Sequence, residues 1–115
     1  MAYDEELADR IRELIGPEPR LSEQKMFGGL AFLIGGHMSI SASGRGGVLV
    51  HVDADEGDRL LATTEAEPME MRGRAMSGWL HVDAAHLTTE EQLGRWVDIG
   101  VGHARSLPPK KPKKR

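Results

Sequence analysis

The feature that most constrains the fold is a set of strand-like segments separated by paired glycines. Residues 26–34 are almost wholly apolar, Gly35-Gly36 follows them, and residues 37–43 then alternate between apolar and polar types. A strand places successive side chains on opposite faces, and two adjacent glycines both tolerate the positive φ of a tight hairpin. After a second glycine-rich turn, residues 48–52 repeat the alternation. The pattern predicts a three-stranded antiparallel meander.

Alternation also assigns the side chains of the second strand to two faces. The apolar set that we expect on the core side is Met38, Ile40 and Ala42. The set that we expect on a solvated outer face is His37, Ser39, Ser41 and Ser43. In the first strand, the pair Gly28-Gly29 interrupts the apolar run, which indicates a bulge within one continuous strand.

Helical patterns flank the meander. Asp4 is placed to cap a helix over residues 5–15, in which apolar residues recur at helical spacing before Gly16 and a proline end it. A short helix is expected after Asp53. Near the C-terminus, Thr88 and Glu91 have the spacing of a capping box. The apolar stripe of that last helix consists of Leu93, Trp96, Val97, Gly100, Val101 and Ala104.

Two further strands complete the predicted order. Residues 68–72 read as an edge strand with Pro68 first, where no ladder donor is needed, and residues 77–82 return beside it. The order is α-β(3)-α-β(2)-α, and the connections between strands are short. We therefore predict a single α+β domain over residues 1–107, with helices packed on an antiparallel sheet.

Composition supports one modest core and excludes several classes of protein. Of 115 residues 39% are hydrophobic, and there is no cysteine, which excludes disulfides, thiolate metal sites and a cysteine nucleophile. No apolar run approaches the roughly 20 residues that a membrane span needs. The acidic N-terminus is unlike a secretory signal. We expect a cytoplasmic protein without membrane contact.

Charge is distributed unevenly along the chain. All 18 acidic residues precede residue 108, whereas five of the 15 basic residues lie in the last eight. A segment of proline and lysine cannot bury apolar surface, so residues 108–115 are predicted to be a disordered basic tail. The part of the chain before residue 108 is acidic and therefore a poor match for nucleic acid. Only the basic tail is expected to contact phosphates, and only weakly. Its candidate residues are Lys110, Lys111, Lys113, Lys114 and Arg115.

The chemically reactive side chains do not form a recognisable catalytic motif. His51-Val52-Asp53 and His81-Val82-Asp83 could each offer a nitrogen and an oxygen to a metal, but strand alternation and helix capping explain them better. On that reading the histidines face water. The serines lack a G-x-S-x-G elbow, and the glycines match no dinucleotide or phosphate fingerprint. We predict no catalytic residue, no cofactor and no metal site.

Five residues are candidates for binding a protein partner. Met69 and Met71 share one face of the predicted edge strand, and Arg72 and Arg74 flank the following turn. Trp79 faces away from the apolar side of its own strand. Lys25 and Arg45, on loops that we expect nearby, could add to a small basic patch at this turn. An edge strand presents unpaired backbone groups, so we expect a homodimer built on residues 68–72 or on the outer sheet face.

Several segments together resemble the N-terminal domain of the TfoX/Sxy family. They are residues 25–32 (K-M-F-G-G-L-A-F), Gly35 to Met38, residues 73–79 (G-R-A-M-S-G-W) and the closing helix. The resemblance covers nearly the whole chain and implies a secretion-chaperone-like α+β fold. It also implies a link to regulation of natural competence, where longer members act with a cyclic-AMP-responsive activator. Those members carry a second, helical domain, whereas here a basic tail follows, so we expect a stand-alone domain.

The function that we expect is that of a non-enzymatic regulatory or adaptor module, which acts through protein contacts in transcription or competence. Two alternatives stay open at this point. One is a protein that contacts nucleic acid through its basic tail, and the other is a small-ligand-binding domain or enzyme, which needs a concave pocket with convergent polar groups.

Overall fold

A computed structural model describes residues 3–26, 28–71 and 73–107 of the chain. Its elements are α1 (Glu5–Ile15), β1 (Leu21–Met26), β2 (Gly29–Ile34), β3 (His37–Ala42), β4 (Val48–His51), α2 (Ala54–Thr63), β5 (Glu67–Met71), β6 (Arg74–Val82), a 3-10 turn (Ala84–His86) and α3 (Glu90–Ser106). The strands form one antiparallel sheet in the order β1-β2-β3-β4-β6-β5. The predicted α+β class with an antiparallel sheet and packed helices is confirmed.

The sheet has one more strand than the sequence pattern predicts. The additional strand is β1, in which the four central residues are polar and exposed. A strand at the edge of a sheet need not alternate, because its side chains are less covered than those of interior strands. Met26 pairs with Gly29 at the end of a β1–β2 hairpin. Gly28 has φ +75°, so the two glycines belong to this turn and not to a bulge.

The Gly35-Gly36 hairpin is confirmed. Both residues have positive φ, +61° and +85°, and the flanking residues Ile34 and His37 pair across the turn. Positive φ at both central positions is the geometry whose twist matches that of two antiparallel strands. The second hairpin, β5–β6, is less regular. Pro68 pairs with Leu80 whereas Glu70 pairs with Ala75, so β6 carries extra residues between these pairs.

The helices begin at side chains that satisfy free backbone donors. The carboxylate of Asp4 accepts from the backbone N–H of Glu6 and of Leu7, at 3.0 and 3.2 Å, and α1 has the predicted bounds. The capping box of α3 lies one residue later than predicted, because Gln92 and Thr89 form it. The Oε1 atom of Gln92 reaches two successive backbone donors there.

All three helices pack on one face of the sheet and enclose the main core. Its largest fully buried side chains include Ile11, Phe32, Ile40, Leu60, Leu80 and Leu93. The helix α3 crosses β3 and β4 so closely that Gly100 lies against the backbone of Ser39. In the described part of the chain, no helix has the length and apolar character needed to cross a membrane.

Candidate protein-binding face

The face of the sheet opposite the helices carries a second apolar cluster, which we call the open face. Every strand contributes to it. Three members are buried and four are partly buried, and together they are Met26, Ala31, Leu33, Met38, Leu49, Met69 and Trp79. Among the described residues, no helical side chain belongs to this cluster. The open face therefore combines an apolar centre with large side chains that still reach solvent.

Met38 belongs to the open face because of an irregularity in β3. Phe32 pairs with Ile40 and Leu33 pairs with Met38, which leaves Ser39 as an extra residue. A bulge of this kind changes the alternation on either side of it. The prediction that Met38 and Ile40 share the core side is therefore wrong. The sequence pattern alone does not distinguish a bulged strand from a regular one.

The serines of β3 are not on a solvated surface, contrary to the prediction. Ser39 and Ser41 in β3 are buried, since β3 is an interior strand with neighbours on both sides, and Ser43, directly after β3, is buried as well. Ser39 donates its hydroxyl proton to the carbonyl of Phe32 at 2.8 Å, and the hydroxyl of Ser43 accepts from the backbone N–H of Arg45 at 3.1 Å. These hydroxyls satisfy local backbone groups.

Trp79 is anchored on the open face by a neighbouring ring. It pairs with His51 across β4 and β6, and the two rings stack with their centroids 4.2 Å apart. The ring of His103, near the end of α3, meets His51 edge-on at 5.0 Å. A half-buried tryptophan held in this way offers a large, rigid contact surface at low cost in side-chain entropy.

A groove borders the open face at the β5 end of the sheet. Its cavity volume is about 640 Å³, and its floor includes Leu49 and Met69. Charged and polar groups surround that floor: Arg45 on the β3–β4 turn, Glu67 and Glu70 on β5, and His81 on β6. His81 is held in place by a 2.8 Å hydrogen bond between its Nε2 and the carbonyl oxygen of Gly46. An apolar floor with a charged rim is the general anatomy of a protein-binding surface.

Two of the five predicted partner-binding residues, Met69 and Trp79, lie together on the open face. Arg74 is exposed at the start of β6. Arg72 and the side chain of Met71 lie outside the described residues, as do the tail candidates Lys110, Lys111, Lys113, Lys114 and Arg115.

Lys25 does not contribute to a basic patch at the β5–β6 turn. Lys25 lies in β1, and three strands separate β1 from β6, which carries Arg74.

The two His-x-Asp pairs are confirmed as capping sequences on their aspartate side. Asp53 accepts from the N–H of Asp55 at 3.1 Å, and Asp83 accepts from the N–H of Ala85 at 3.2 Å. The prediction that the histidines face water is wrong, because His51 and His81 are half-buried. Within residues 3–26, 28–71 and 73–107, no three histidine or carboxylate side chains are grouped so as to hold a metal ion.

The perturbed carboxylates lie away from the open face, in ion pairs between elements. The hydrogen bond from Arg12 lowers the pKa of Glu23, and the hydrogen bond from Arg105 lowers the pKa of Glu18. The first pair joins α1 to β1, and the second joins the end of α3 to the segment before β1. These ion pairs connect helices to the strand β1 and the segment before it, and none of their residues lines the groove.

Sequence reasoning did not single out Ala31, Leu33 and Leu49 as members of a functional surface. The sequence does contain an indication of this surface, because residues 29–34 are apolar at every position. A continuous apolar run is typical of a strand that is covered on both faces. Leu49 is an apolar residue on the outward side of its strand, which also indicates that this face of the sheet is covered.

Most of the chain matches the model of a known protein family. The sequence model of the TfoX N-terminal domain matches residues 13–104, a stretch that extends from within α1 to the last turns of α3. It therefore includes all six strands and the whole open face. No curated protein matches the chain.

Proposed function

The chain belongs to the TfoX N-terminal domain family, and from that membership we propose that it is a non-enzymatic regulatory module that binds another protein through the open face. The proposal rests on the second apolar cluster. All six strands contribute side chains to this cluster, and no described helix contributes one. Contiguous apolar surface on a small domain is typical of a site of interaction, and the four partly buried members of this cluster still reach solvent.

The composition of the open face suits a protein partner. It contains three methionines and a tryptophan. Methionine and aromatic residues are enriched in the centres of protein interfaces, where methionine adapts its shape to the partner. The charged residues of the groove, Arg45, Glu67 and Glu70, would then form a polar rim that orients the partner.

The hydrogen bonds of the polar residues support a role without catalysis. Ser39 and Ser43 use their hydroxyls on backbone groups, and Asp53 and Asp83 use their carboxylates as caps. Each of these four side chains has a structural partner in a turn, a strand or a helix cap, which accounts for its presence without a reaction.

The family supports a regulatory setting for this binding. We propose that the partner belongs to the machinery that controls transcription, with competence as the best-supported process, and that the encounter takes place in the cytoplasm. In this role the domain would alter the activity of a regulator by occupying part of its surface.

The experiment compares two lysine substitutions. Met69→Lys places a charge on the open face, at the exposed edge of the cluster, and Ala62→Lys places the same charge on the exposed side of α2. The 115-residue chain with each substitution is immobilised, host proteins are captured, and the strongest partner is purified for a binding titration. Circular dichroism verifies that both variants are folded.

The proposal predicts that Met69→Lys weakens the purified partner's binding at least tenfold, because the charge must be desolvated in an apolar contact. Ala62→Lys should bind like the original chain. Equal affinity of both variants for the partner, or a loss only in Ala62→Lys, would contradict a role for the open face.

A further inference from the structure

The two edges of the sheet differ in how well they can accept another strand. At one edge, β5 is five residues long, contains Pro68 without a backbone donor, and has a register shift against β6. At the other edge, β1 is six residues long, contains no proline, and pairs with β2 without any shift. A regular edge with free backbone groups is a template for strand addition, whereas proline and irregularity protect an edge.

The phase of the hydrogen bonds shows which groups of β1 point away from the sheet. The N–H of Gly35 donates to the carbonyl of Arg20 at 3.1 Å, so this pair is of the hydrogen-bonded kind. Such pairs alternate along an antiparallel ladder. Ser22 and Gln24 therefore bond to β2, while the backbone N–H and C=O groups of Glu23 and Lys25 point outward. The backbone N–H of Leu21 is not available, because it donates to the backbone carbonyl of Glu18 at 3.0 Å.

Charge then selects one register for a second copy of the same strand. A two-fold axis at Glu23 would place Glu23 opposite its own copy, and an axis at Lys25 would place two lysines opposite each other. Like charges directly opposite destabilise a strand pair. An axis at Ser22 would require the N–H of Leu21. An axis at Gln24 places each Glu23 opposite a Lys25, and all four outward donors and acceptors of these residues find partners.

We propose that two copies of this chain pair through β1, antiparallel and centred on Gln24, to form one continuous twelve-stranded sheet. The partner is a second copy because the strand is complementary to itself in charge and in hydrogen bonding. Each carboxylate of Glu23 already accepts from Arg12, with its Oε1 2.9 Å from Nη2, and a carboxylate has acceptor sites left for Lys25 of the other copy.

This pairing uses the edge of the sheet and does not depend on the open face binding a partner. It brings the open faces of the two copies side by side. The two proposals fail independently, since one is tested by the state of association of the isolated protein and the other by capture of a different protein.

The first test uses the fact that the chain has no cysteine. In the proposed dimer the two Gln24 residues face each other as a pair that is not hydrogen-bonded, where Cα atoms are about 4.5 Å apart and within disulfide range. Gln24→Cys should therefore form a covalent dimer under mild oxidation. Ser22→Cys, exposed on the same face of the same strand, is the control. Its two copies would be about 13 Å apart, at roughly 3.3 Å per residue, and should stay unlinked.

The second test uses charge. Lys25→Glu keeps the contact between Arg12 and Glu23 but places carboxylates opposite each other, so we expect dissociation at concentrations where the original chain is dimeric. Glu23→Lys should dissociate likewise. A mixture of the two variants restores both opposite-charge pairs and should form a heterodimer, which mass and sedimentation measurements distinguish from either homodimer.

The results that overturn the proposal are equally definite. A single 12.6 kDa species for the original chain over a hundredfold range of concentration would refute the dimer. Equal cross-linking of Gln24→Cys and Ser22→Cys would refute the register. A mixture of charge variants that stays monomeric, from an original chain that is dimeric, would refute pairing through Glu23 and Lys25.

Discussion

The contact between α3 and the sheet makes a quantitative prediction about two glycines of one helix. A Cβ atom at Gly100 would lie 2.9 Å from the carbonyl carbon of Ser39, nearer still to its oxygen, and 3.3 Å from Cγ1 of Val50. A Cβ atom at Gly102 would meet nothing within 4 Å, and this residue is exposed. The same Gly→Ala change therefore adds a methyl group against an interior strand at one position and into solvent at the other.

The two effects on stability have opposite signs. In an exposed helix interior, alanine in place of glycine adds roughly 1 kcal/mol to the free energy of unfolding, because it restricts the unfolded chain. Overpacking costs typically ~1–3 kcal/mol, and the upper end applies at Gly100 because the obstructing atoms are strand backbone that cannot rotate away. We expect Gly102→Ala to stabilise by about 1 kcal/mol and Gly100→Ala to destabilise by about 2 kcal/mol net.

Urea unfolding followed by circular dichroism at a helix wavelength measures both variants against the original chain. The difference between them, about 3 kcal/mol, corresponds to well over 10 °C in Tm for a domain of this size. Gly100→Ala with a stability equal to or above that of Gly102→Ala would refute the close packing of α3 on β3.

Three further predictions follow from other parts of the molecule. Replacing Gly35 and Gly36 by valine should lower the free energy of unfolding by well over ~1 kcal/mol, because both residues have positive φ; an unchanged thermal transition would exclude the hairpin geometry. The lowered pKa of Glu18 means that its ion pair with Arg105 stabilises the fold above about pH 4.5 and loses this effect as the pH falls through the native value. Glu18→Gln should thus flatten the acid side of the stability curve, and a curve that keeps its slope would contradict the pairing. Deleting residues 108–115 should leave Tm almost unchanged and remove any salt-sensitive binding to nucleic acid; a large fall in Tm would show that the tail contributes to the fold.

The parts of the fold that could be predicted are those in which local chemistry and tertiary packing agree. The helix α1 has an N-cap, an apolar stripe and a glycine stop, and its bounds were predicted correctly. The hairpin at Gly35-Gly36 was predicted because few residues other than glycine adopt positive φ twice in succession. In both places a single segment of sequence contains all the determinants.

The parts that could not be predicted depend on pairing between distant segments. The strand β1 has a polar sequence, and it is a strand because β2 supplies hydrogen-bond partners along one side of it. The extra residue at Ser39 depends on the register between β2 and β3, and Ser39 lies against Gly100 of α3. The open face is assembled from strands that are distant in the sequence. Only two of its residues, Met69 and Trp79, were therefore predicted to bind a partner.

Site-specific photo-crosslinking in living cells shows directly whether the open face binds a protein. A photoreactive amino acid is placed at Leu33, which is half-buried on the open face, and for comparison at Glu13, which is exposed on α1. Leu33 lies in β2 and Glu13 lies in α1, so the two positions differ in the face of the molecule from which the photoreactive group reaches out. A binding role for the open face predicts a covalent adduct with one other protein from position 33 and none from position 13. Adducts from position 13 alone, or the same adduct from both positions, would contradict it.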